Sequence, residues 1–426
     1  MTQIRDYADR YALVNELHAR PFPVLSAPCR AAFVAFKQPV NPAERDRAAD
    51  RAHLIALLDR FGAAHPQPGA THYSGQIGRH QLKWEDHTEF TTFTLFAESL
   101  AEAPFNAETF AMFPPDWLSE APGERVTSAL IRVEKVEVFD GVPAKVDDWF
   151  VPESLAVAQV LDEEGVIASD FRIDPAGHVR MALFVKPEMG QRRIGRIVQR
   201  LSEIETYKTM AMLGLIESRG IGARLAEFDS ELDSLMVEMR DQDKAAESTL
   251  RRLLVVSAEL ETMLAQTTFR FGGTRAYARI VNQRIEVLRE TRMGGRQTFA
   301  EFMMRRFDPA MRTVEATEDR LNGMATRAER AANLLRTQVD VERSAQNQML
   351  LASMDRRADL QLRLQRTVEG LSVVAISYYA VNLMYYLVGP AFSGIGILSG
   401  WGKAGMTVII LAVVWSLLRR LRRSIE

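Results

Sequence analysis

The sequence predicts an α+β domain at the N-terminus, a long helical bundle or stalk in the middle and a two-helix transmembrane hairpin at the C-terminus. Three observations predict this fold class. Of the 17 prolines, 15 lie at or before Pro187, so the region after it is permissive for long helices. Alternating β-branched and aromatic residues are concentrated before that point. Between Gly370 and Gly402 no residue is charged.

Residues 1–187 carry short runs of alternating apolar and polar residues, a pattern typical of strands. A helix is expected over Ala43–Phe61, where Leu54, Leu57 and Leu58 share one side. The strands are expected at Arg30–Lys37, His72–Ile77, Gln81–Glu85, Glu89–Phe96, Ser128–Phe139, Val157–Leu161, Val166–Ile173 and Val179–Val185. Together they predict an α+β domain with a largely antiparallel or mixed sheet.

Residues 188–366 repeat apolar side chains at three- and four-residue steps and are rich in good helix formers. We expect four or five long helices over about 190–366. The last of them has no proline between Ala310 and Glu369, so it is expected to run into the first membrane span as a stalk or coiled coil. The breaks between helices are predicted at Gly220/Gly222, Gly272-Gly273, Gly294-Gly295 and Asp308-Pro309.

Residues 367–418 are predicted to form the hairpin, with spans at about 370–389 and 397–418 and a basic tail at 419–426. Leu371–Gly389 has the length needed to cross the hydrocarbon core as a helix. Ala404–Leu418 is short and needs turns from the Gly-rich segment before it. The alternative is a pair of buried core helices, but flanking arginines favour the membrane.

The positions of the positive charges predict the orientation of the hairpin. The basic flanks of short loops stay in the cytoplasm, and the loop Pro390–Gly402 carries no positive charge. The arginines that flank the two spans are Arg363, Arg366, Arg419, Arg420, Arg422 and Arg423. Both termini are therefore expected in the cytoplasm. The N-terminus lacks the layout of a signal peptide, and the single cysteine, Cys29, fits a reducing compartment.

Residues suited to catalysis or metal binding are few. His72, His80 and His87 have no recognised ligand spacing, and we expect them not to hold a metal. A dense polar cluster before Pro21 either binds an anion or metal or pins the N-terminal arm to the domain. Its members are Asn15, Glu16, His18 and Arg20. The patterns of a P-loop, of GxSxG and of CxxC are absent, so no enzyme and no cofactor are predicted.

Four segments resemble a bacterial family of membrane-anchored proteins, the domain-of-unknown-function 3422 family. They are Asn15–Phe22 (NELHARPF), His87–Phe90 (HTEF), Glu203–Tyr207 (EIETY) and Leu350–Tyr379. The resemblance spans nearly the whole chain and implies a single full-length unit in the bacterial inner membrane. It implies no activity, because none is known for the family.

The layout of the chain also resembles that of CorA-type magnesium transporters, which are homopentamers with a Gly-Met-Asn motif after a tyrosine at the end of the first span. Here Tyr379-Ala380-Val381-Asn382 matches only the tyrosine and the asparagine. Asn382 also lies about 12 residues into the apolar run, and the loop lacks acidic residues. Asn382 either lines a pore or forms an interhelical hydrogen bond.

These observations predict a membrane-anchored protein of unknown activity, an oligomeric structural or interaction protein whose soluble part lies in the cytoplasm. Small residues at Gly370, Ser372, Ser377 and Ala380 favour assembly of the first span with its copies. The expected partners are the lipid bilayer, further copies of the chain and a cytoplasmic protein. A net charge of −2 indicates no nucleic-acid binding. The alternatives are a CorA-like channel for Mg²⁺ or another cation and, with least support, a membrane-held enzyme.

Overall fold

The computed structural model describes residues 4–11, 14, 22–240, 246–392 and 400–425. The chain divides into two compact units. One consists of Met1–Gln242 and Arg251–Ala331, and the other of Asp243–Leu250 and Ala332–Glu426. The predicted domain boundaries at 187 and 366 mark changes of sequence character, and they stay predictions.

The first unit is built on a mixed sheet that contains nine strands in the described residues. The strands are β1 (Cys29–Lys37), β2 (His72–Ile77), β3 (His80–Asp86), β4 (Thr91–Ala97), β5 (Glu124–Lys135), β6 (Ala156–Val160), β7 (Gly165–Ile173), β8 (Val179–Val185) and β9 (Thr291–Arg292). Their order is β2-β3-β4-β1-β5-β8-β7-β6-β9. Only β5 and β8 pair in parallel within this order. The predicted α+β domain with a mixed sheet is confirmed.

Eight α-helices and two short 3-10 helices, at Pro42–Glu44 and Ala107–Met112, accompany the strands in the described residues. The α-helices are α1 (Arg47–Arg60), α2 (Pro115–Ser119), α3 (Val142–Trp149), α4 (Gln191–Glu238), α5 (Ala246–Glu286), α6 (Phe299–Arg306), α7 (Asp308–Phe392) and α8 (Gly400–Ile425). Helices α1, α2 and α3 pack on one face of the sheet, where Leu54 and Trp117 join one core. The start of α4, the end of α5 and α6 cover the other face. The sheet is therefore buried on both sides.

Two of the predicted helix breaks are wrong. Helix α4 continues through Gly220 and Gly222, and α5 continues through Gly272 and Gly273. A glycine inside a helix costs only about 1 kcal/mol relative to alanine, which the packing of a long helix outweighs. The other two breaks are confirmed: the Gly294-Gly295 pair has positive φ angles, and α6 ends just before Asp308. Residues 190–366 therefore hold three long helices and one short helix in their described part, rather than four or five long ones.

Helix α7 is 85 residues long and ends at Phe392, so the expected continuation of the last stalk helix into the apolar segment is confirmed. One helix in the described residues is long and apolar enough to cross a membrane, and 6% of its apolar window is buried. The apolar stretch of α8, Ala404–Leu417, is shorter. Two spanning helices are therefore not evident in the described part of the chain, and residues 393–399 lie outside it.

Candidate functional site

Two of the segments singled out in the sequence meet at a narrow polar cleft between the sheet and α4. His87 belongs to one segment, and Glu203 and Tyr207 belong to the other; all three line the cleft. They are separated by more than a hundred residues along the chain, so the fold alone brings them together. This convergence makes the cleft the candidate functional site.

The sheet side of the cleft follows from strand alternation. Lys83 lies opposite Thr94, and Glu85 lies opposite Thr92, in the antiparallel pair β3–β4. Phe33 of β1 also lies opposite Thr94. Since directly opposed residues point to the same face, these five side chains line one wall. The alternate residues of the same strands, such as Leu82 and Trp84, face the apolar core under α1.

The helix side follows from the orientation of α4. Ile197, Leu201 and Ile204 are fully buried against the sheet, which fixes the rotation of the helix. Glu203 then lies along the cleft and binds two neighbours. Its Oε1 accepts a hydrogen bond from Nε2 of Gln199 at 2.8 Å, and its Oε2 accepts one from Nε of Arg284 on α5.

The segment before β1 packs closely against the start of α4. The backbone N–H of Leu25 donates to the carbonyl of Gln191 at 3.2 Å. A Cβ atom on Gly195 would lie 1.7 Å from the carbonyl oxygen of Pro23, so only glycine fits there. Because Pro23 lines the cleft, this close approach closes one side of it.

The cavity in the cleft is small and is lined by polar side chains together with Pro23, Phe33 and Phe96. Its volume is about 20 Å³, which is room for about one water molecule. Nζ of Lys83 lies 3.2 Å from Oε2 of Glu85, an ion-pair distance. Neither Nζ of Lys83 nor Oε1 of Gln199 has a hydrogen-bond partner among the described residues, although both atoms are buried. Among the described residues, the cavity therefore holds the Lys83 ammonium, which is ion-paired with Glu85, and the Gln199 side-chain oxygen, which accepts no hydrogen bond.

A buried carboxylate next to the cleft ties the sheet to α5. Glu89, which is 2% exposed, pairs with the guanidinium of Arg270 and accepts a hydrogen bond from the Tyr277 hydroxyl at 2.8 Å. Burial and the charge of Glu89 raise the pKa of Tyr277, so its hydroxyl keeps its proton. The ring of Tyr277 stacks on that of Tyr207 at 5.6 Å between centroids, which links this group to the cleft.

Three arginines lie beside the cleft, next to Glu203 or to one another, and we call them the arginine rim: Arg196, Arg200 and Arg284. Arg196 and Arg200 are one helical turn apart on α4, and Glu203 lies on the same face. Arg284 reaches that face through its bond to Glu203. Burial, followed by the nearby charges of Arg196 and Arg284, lowers the pKa of Arg200. All three side chains are half-buried.

The site residues predicted near the membrane segments lie on α7 and α8. Tyr379 is 67% exposed and Asn382 is half-buried. Arg363 pairs with Asp359 at 3.2 Å, and Arg366 is exposed. Arg419 lies over the Trp415 ring at 4.9 Å, and Arg420 is exposed. Arg422 and Arg423 lie on α8, but their side chains are outside the described set.

The polar cluster Asn15, Glu16, His18 and Arg20 lies outside the described residues. Of the three histidines, His72 shares a face with Lys83 and Glu85, whereas His80 points to the opposite face. His87 stacks on Phe90 at 4.3 Å. Within the described ranges, no group of three or more His, Cys, Asp or Glu side chains is arranged to hold a metal ion.

Reasoning from the sequence missed the arginine rim and the partners of Glu89. A signal for the rim was present, because Arg196, Arg200, Glu203 and Tyr207 follow one another at steps of three and four residues on one helix face. No such local signal existed for Arg270 and Tyr277. They reach Glu89 from α5, far away in the sequence, and only the packed fold reveals the contact.

We predict that Glu89→Ala lowers the free energy of unfolding of the full chain by about 3 kcal/mol, because it leaves the largely buried guanidinium of Arg270 without its partner. The matched control is Glu188→Ala at an exposed position, which should change that free energy by less than about 0.5 kcal/mol. Chemical denaturation in detergent measures both. Equal effects of the two substitutions would contradict a stabilising role for the Glu89 pair.

The comparisons with known proteins agree with the resemblance of the four segments. No curated protein matches the sequence. The sequence profile of a protein family of unknown function, DUF3422, matches residues 5–425. The match includes every strand and helix described above. Because it covers nearly the whole chain, this protein belongs to the DUF3422 family.

Proposed function

We propose that this protein is held in a lipid bilayer by the apolar end of α7 and acts as an oligomeric structural or interaction protein. The observation that carries the proposal is the exposure of that apolar end, of which only 6% is buried. Leu371 and Val374 are each 70% exposed, and Leu387 is 68% exposed. Exposed apolar surface costs about 25 cal/mol per Å² in water, and lipid tails remove that cost.

The exposure of the apolar end of α7 also distinguishes a membrane anchor from the main alternative, which is a buried core helix of a soluble protein. A core helix of a soluble protein passes the same test of length and composition, but its apolar side chains are covered by the protein. The apolar core of the first unit shows the contrast, since Ile197 and Leu201 of α4 are fully buried. The apolar end of α7 lacks that cover, which favours a lipid environment.

Helix α8 fits the role of a second, returning span. Its apolar stretch Ala404–Leu417 is followed by Arg419 and Arg420, which are exposed. Arginines at the end of a span favour the cytoplasmic side, and the Trp415 ring beside Arg419 suits the membrane interface. The proposal therefore places both termini in the cytoplasm of a bacterium, at its inner membrane. It includes no catalytic activity, cofactor or nucleic-acid partner, and it leaves the cytoplasmic protein partner open.

The middle of α7 supports assembly of several copies. Leucines and other apolar residues recur on one face at intervals that fit helical turns. They are Leu350, Met354, Leu360, Leu364, Val368 and Leu371, each more than half exposed. We call this face the α7 seam. It continues the line of Leu335 and Val339, which are buried. A helix–helix contact between copies would cover the seam in the manner of a coiled coil.

A cation channel is the second candidate, and the position of Asn382 favours it. Asn382 follows Leu364 by about five helical turns, so it lies on the line of the α7 seam. If the seam faces the axis of an assembly, the amide of Asn382 faces that axis too. Polar groups at membrane depth usually face a protein interior or a water-filled path. Under this candidate the protein would conduct Mg²⁺ or another cation, as in the CorA-like layout.

The first prediction from this proposal concerns membrane anchoring. Replacing Leu383 and Leu387 together by arginine should reduce the share of full-length protein that remains with bacterial membranes after an alkaline carbonate wash. Each arginine costs about 3 kcal/mol at the centre of a spanning helix. The matched control replaces Leu351 and Leu362, also exposed on α7 but before the apolar end, and should remain bound. Equal retention of both variants would count against the anchor.

The second prediction concerns the α7 seam. Cys29 is 2% exposed, and burial raises its pKa to about 12, so the native chain offers no reactive thiol. Mild oxidation should therefore link two copies through Leu364→Cys, which lies on the seam. Leu362→Cys lies on the opposite side of the helix and should not link. Disulfide-linked dimers on a non-reducing gel are the measurement, and equal linking of the two variants would exclude the seam as the contact.

The third prediction tests the channel. If Asn382 lines a conducting path, full-length protein in liposomes should pass Mg²⁺ or another cation down a gradient. Asn382→Leu should lower that flux, whereas Asn347→Leu at an exposed position of α7 should not. A dye inside the liposomes reports entry of the cation. Absence of flux under every cation gradient would rule out the channel and leave the structural role.

A further inference from the structure

In the described part of the chain, the guanidinium groups of the arginine rim lie near one another, and the Glu203 carboxylate lies close to Arg200 and Arg284. We infer that the arginine rim binds a phosphate group, which comes either from a small phosphorylated molecule or from a lipid headgroup. The site is independent of the membrane anchor, because every residue that forms it lies on α4 or on the part of α5 that belongs to the first unit.

The geometry of α4 places the positive groups together. Arg196 and Arg200 are neighbours on the helix surface, since residues four apart lie one turn above each other. Glu203 is three residues further on the same face, and it holds the guanidinium of Arg284 from α5. Arg284 and Arg200 thus both lie close to the Glu203 carboxylate, and Arg196 lies close to Arg200. That carboxylate is already engaged by Arg284 and by the Gln199 amide.

Among the described residues, the charges that act on Arg200 are those of Arg196 and Arg284, which are positive, and that of Glu203, which is negative. In the described part of the chain, neither Arg196 nor Arg200 forms a hydrogen bond or an ion pair with another side chain. Two other arginines on the same helix are paired: Arg193 binds Glu164, and Arg224 binds Glu227 and Glu259. A half-buried guanidinium that gives up water without gaining an acceptor is costly, and a bound anion removes that cost.

Phosphate is the anion that this arrangement fits best. A guanidinium is a rigid fork of N–H donors that matches the oxygens of a phosphate in pairs. The cavity below the rim holds only about 20 Å³, so the phosphate group has to lie on the rim itself. The rest of the ligand then extends outward. A carboxylate offers fewer acceptor oxygens to the same three donors.

The experiment measures binding of inorganic phosphate to the full chain in neutral detergent by calorimetry, at constant ionic strength set with chloride. The native protein should bind, and Arg200→Gln should weaken binding roughly tenfold or more, the loss expected for a charged hydrogen bond. Arg196→Gln should act in the same direction. The matched control is Arg279→Gln, an exposed arginine of α5, which should bind like the native protein.

A second arm distinguishes the source of the phosphate. The melting temperature is compared in nanodiscs of phosphatidylcholine alone and of phosphatidylcholine with phosphatidic acid. Stabilisation by phosphatidic acid that needs Arg200, without binding of inorganic phosphate, assigns the site to a lipid headgroup. Binding of inorganic phosphate assigns it to a soluble ligand.

Three results would overturn the inference. The first is the absence of binding in both arms, and the second is equal binding by the native protein and Arg200→Gln. The third is a lower melting temperature of ligand-free Arg200→Gln than of the ligand-free native protein. A guanidinium without a partner should lower the stability of the ligand-free protein. Replacing Arg200 should therefore leave the melting temperature of the ligand-free protein unchanged or raise it.

Discussion

The burial of the apolar stripe of α4 against the sheet is the constraint on which the first unit depends. Ile194, Ile197, Leu201 and Ile204 join one core with β1, β5 and β8. Once that stripe is buried, the rotation of the helix is set, and the neighbouring stripe must face the edge of the contact. Arg196, Arg200 and Glu203 lie on that neighbouring stripe. The polar cleft and the arginine rim are therefore consequences of how the core is packed.

A second contact, between the buried Glu89 and α5, ties another helix to the same sheet. Glu89 follows β3 and directly precedes Phe90, which is fully buried. A carboxylate in that position needs a cation and donors close by, since an unpaired buried charge is very costly. Helix α5 provides both through Arg270 and Tyr277. The pair of Glu89 and Arg270 thereby fixes the position of α5 on the sheet. That position brings the Tyr277 ring into contact with the Tyr207 ring.

Local sequence patterns predicted the strands closely. Val179–Val185 and His72–Ile77 were expected with the bounds that the structure has, because alternation and flanking turn residues are local signals. The patterns misled at Gly220 and Gly272, where long-range packing carries a helix through a residue that disfavours it locally. The sequence patterns also singled out His87–Phe90 and Glu203–Tyr207, but they did not predict that these two segments meet at a cleft. Its assembly depends on α4 lying next to the cleft-facing residues of β3 and β4, which no local pattern encodes.

Helix α7 shows how one element can serve two environments. Near its start, Val314 and Leu321 are buried within the first unit, as in any soluble domain. Near its end, Leu371, Leu383 and Leu387 are exposed although the segment holds no charge. The helix has a single continuous backbone, so its hydrogen bonds are satisfied in either solvent, which is the requirement for crossing a bilayer. Along α7, the apolar side chains differ in what has to cover them. Protein provides that covering at the start, and in our proposal copies of the chain and lipid provide it further along.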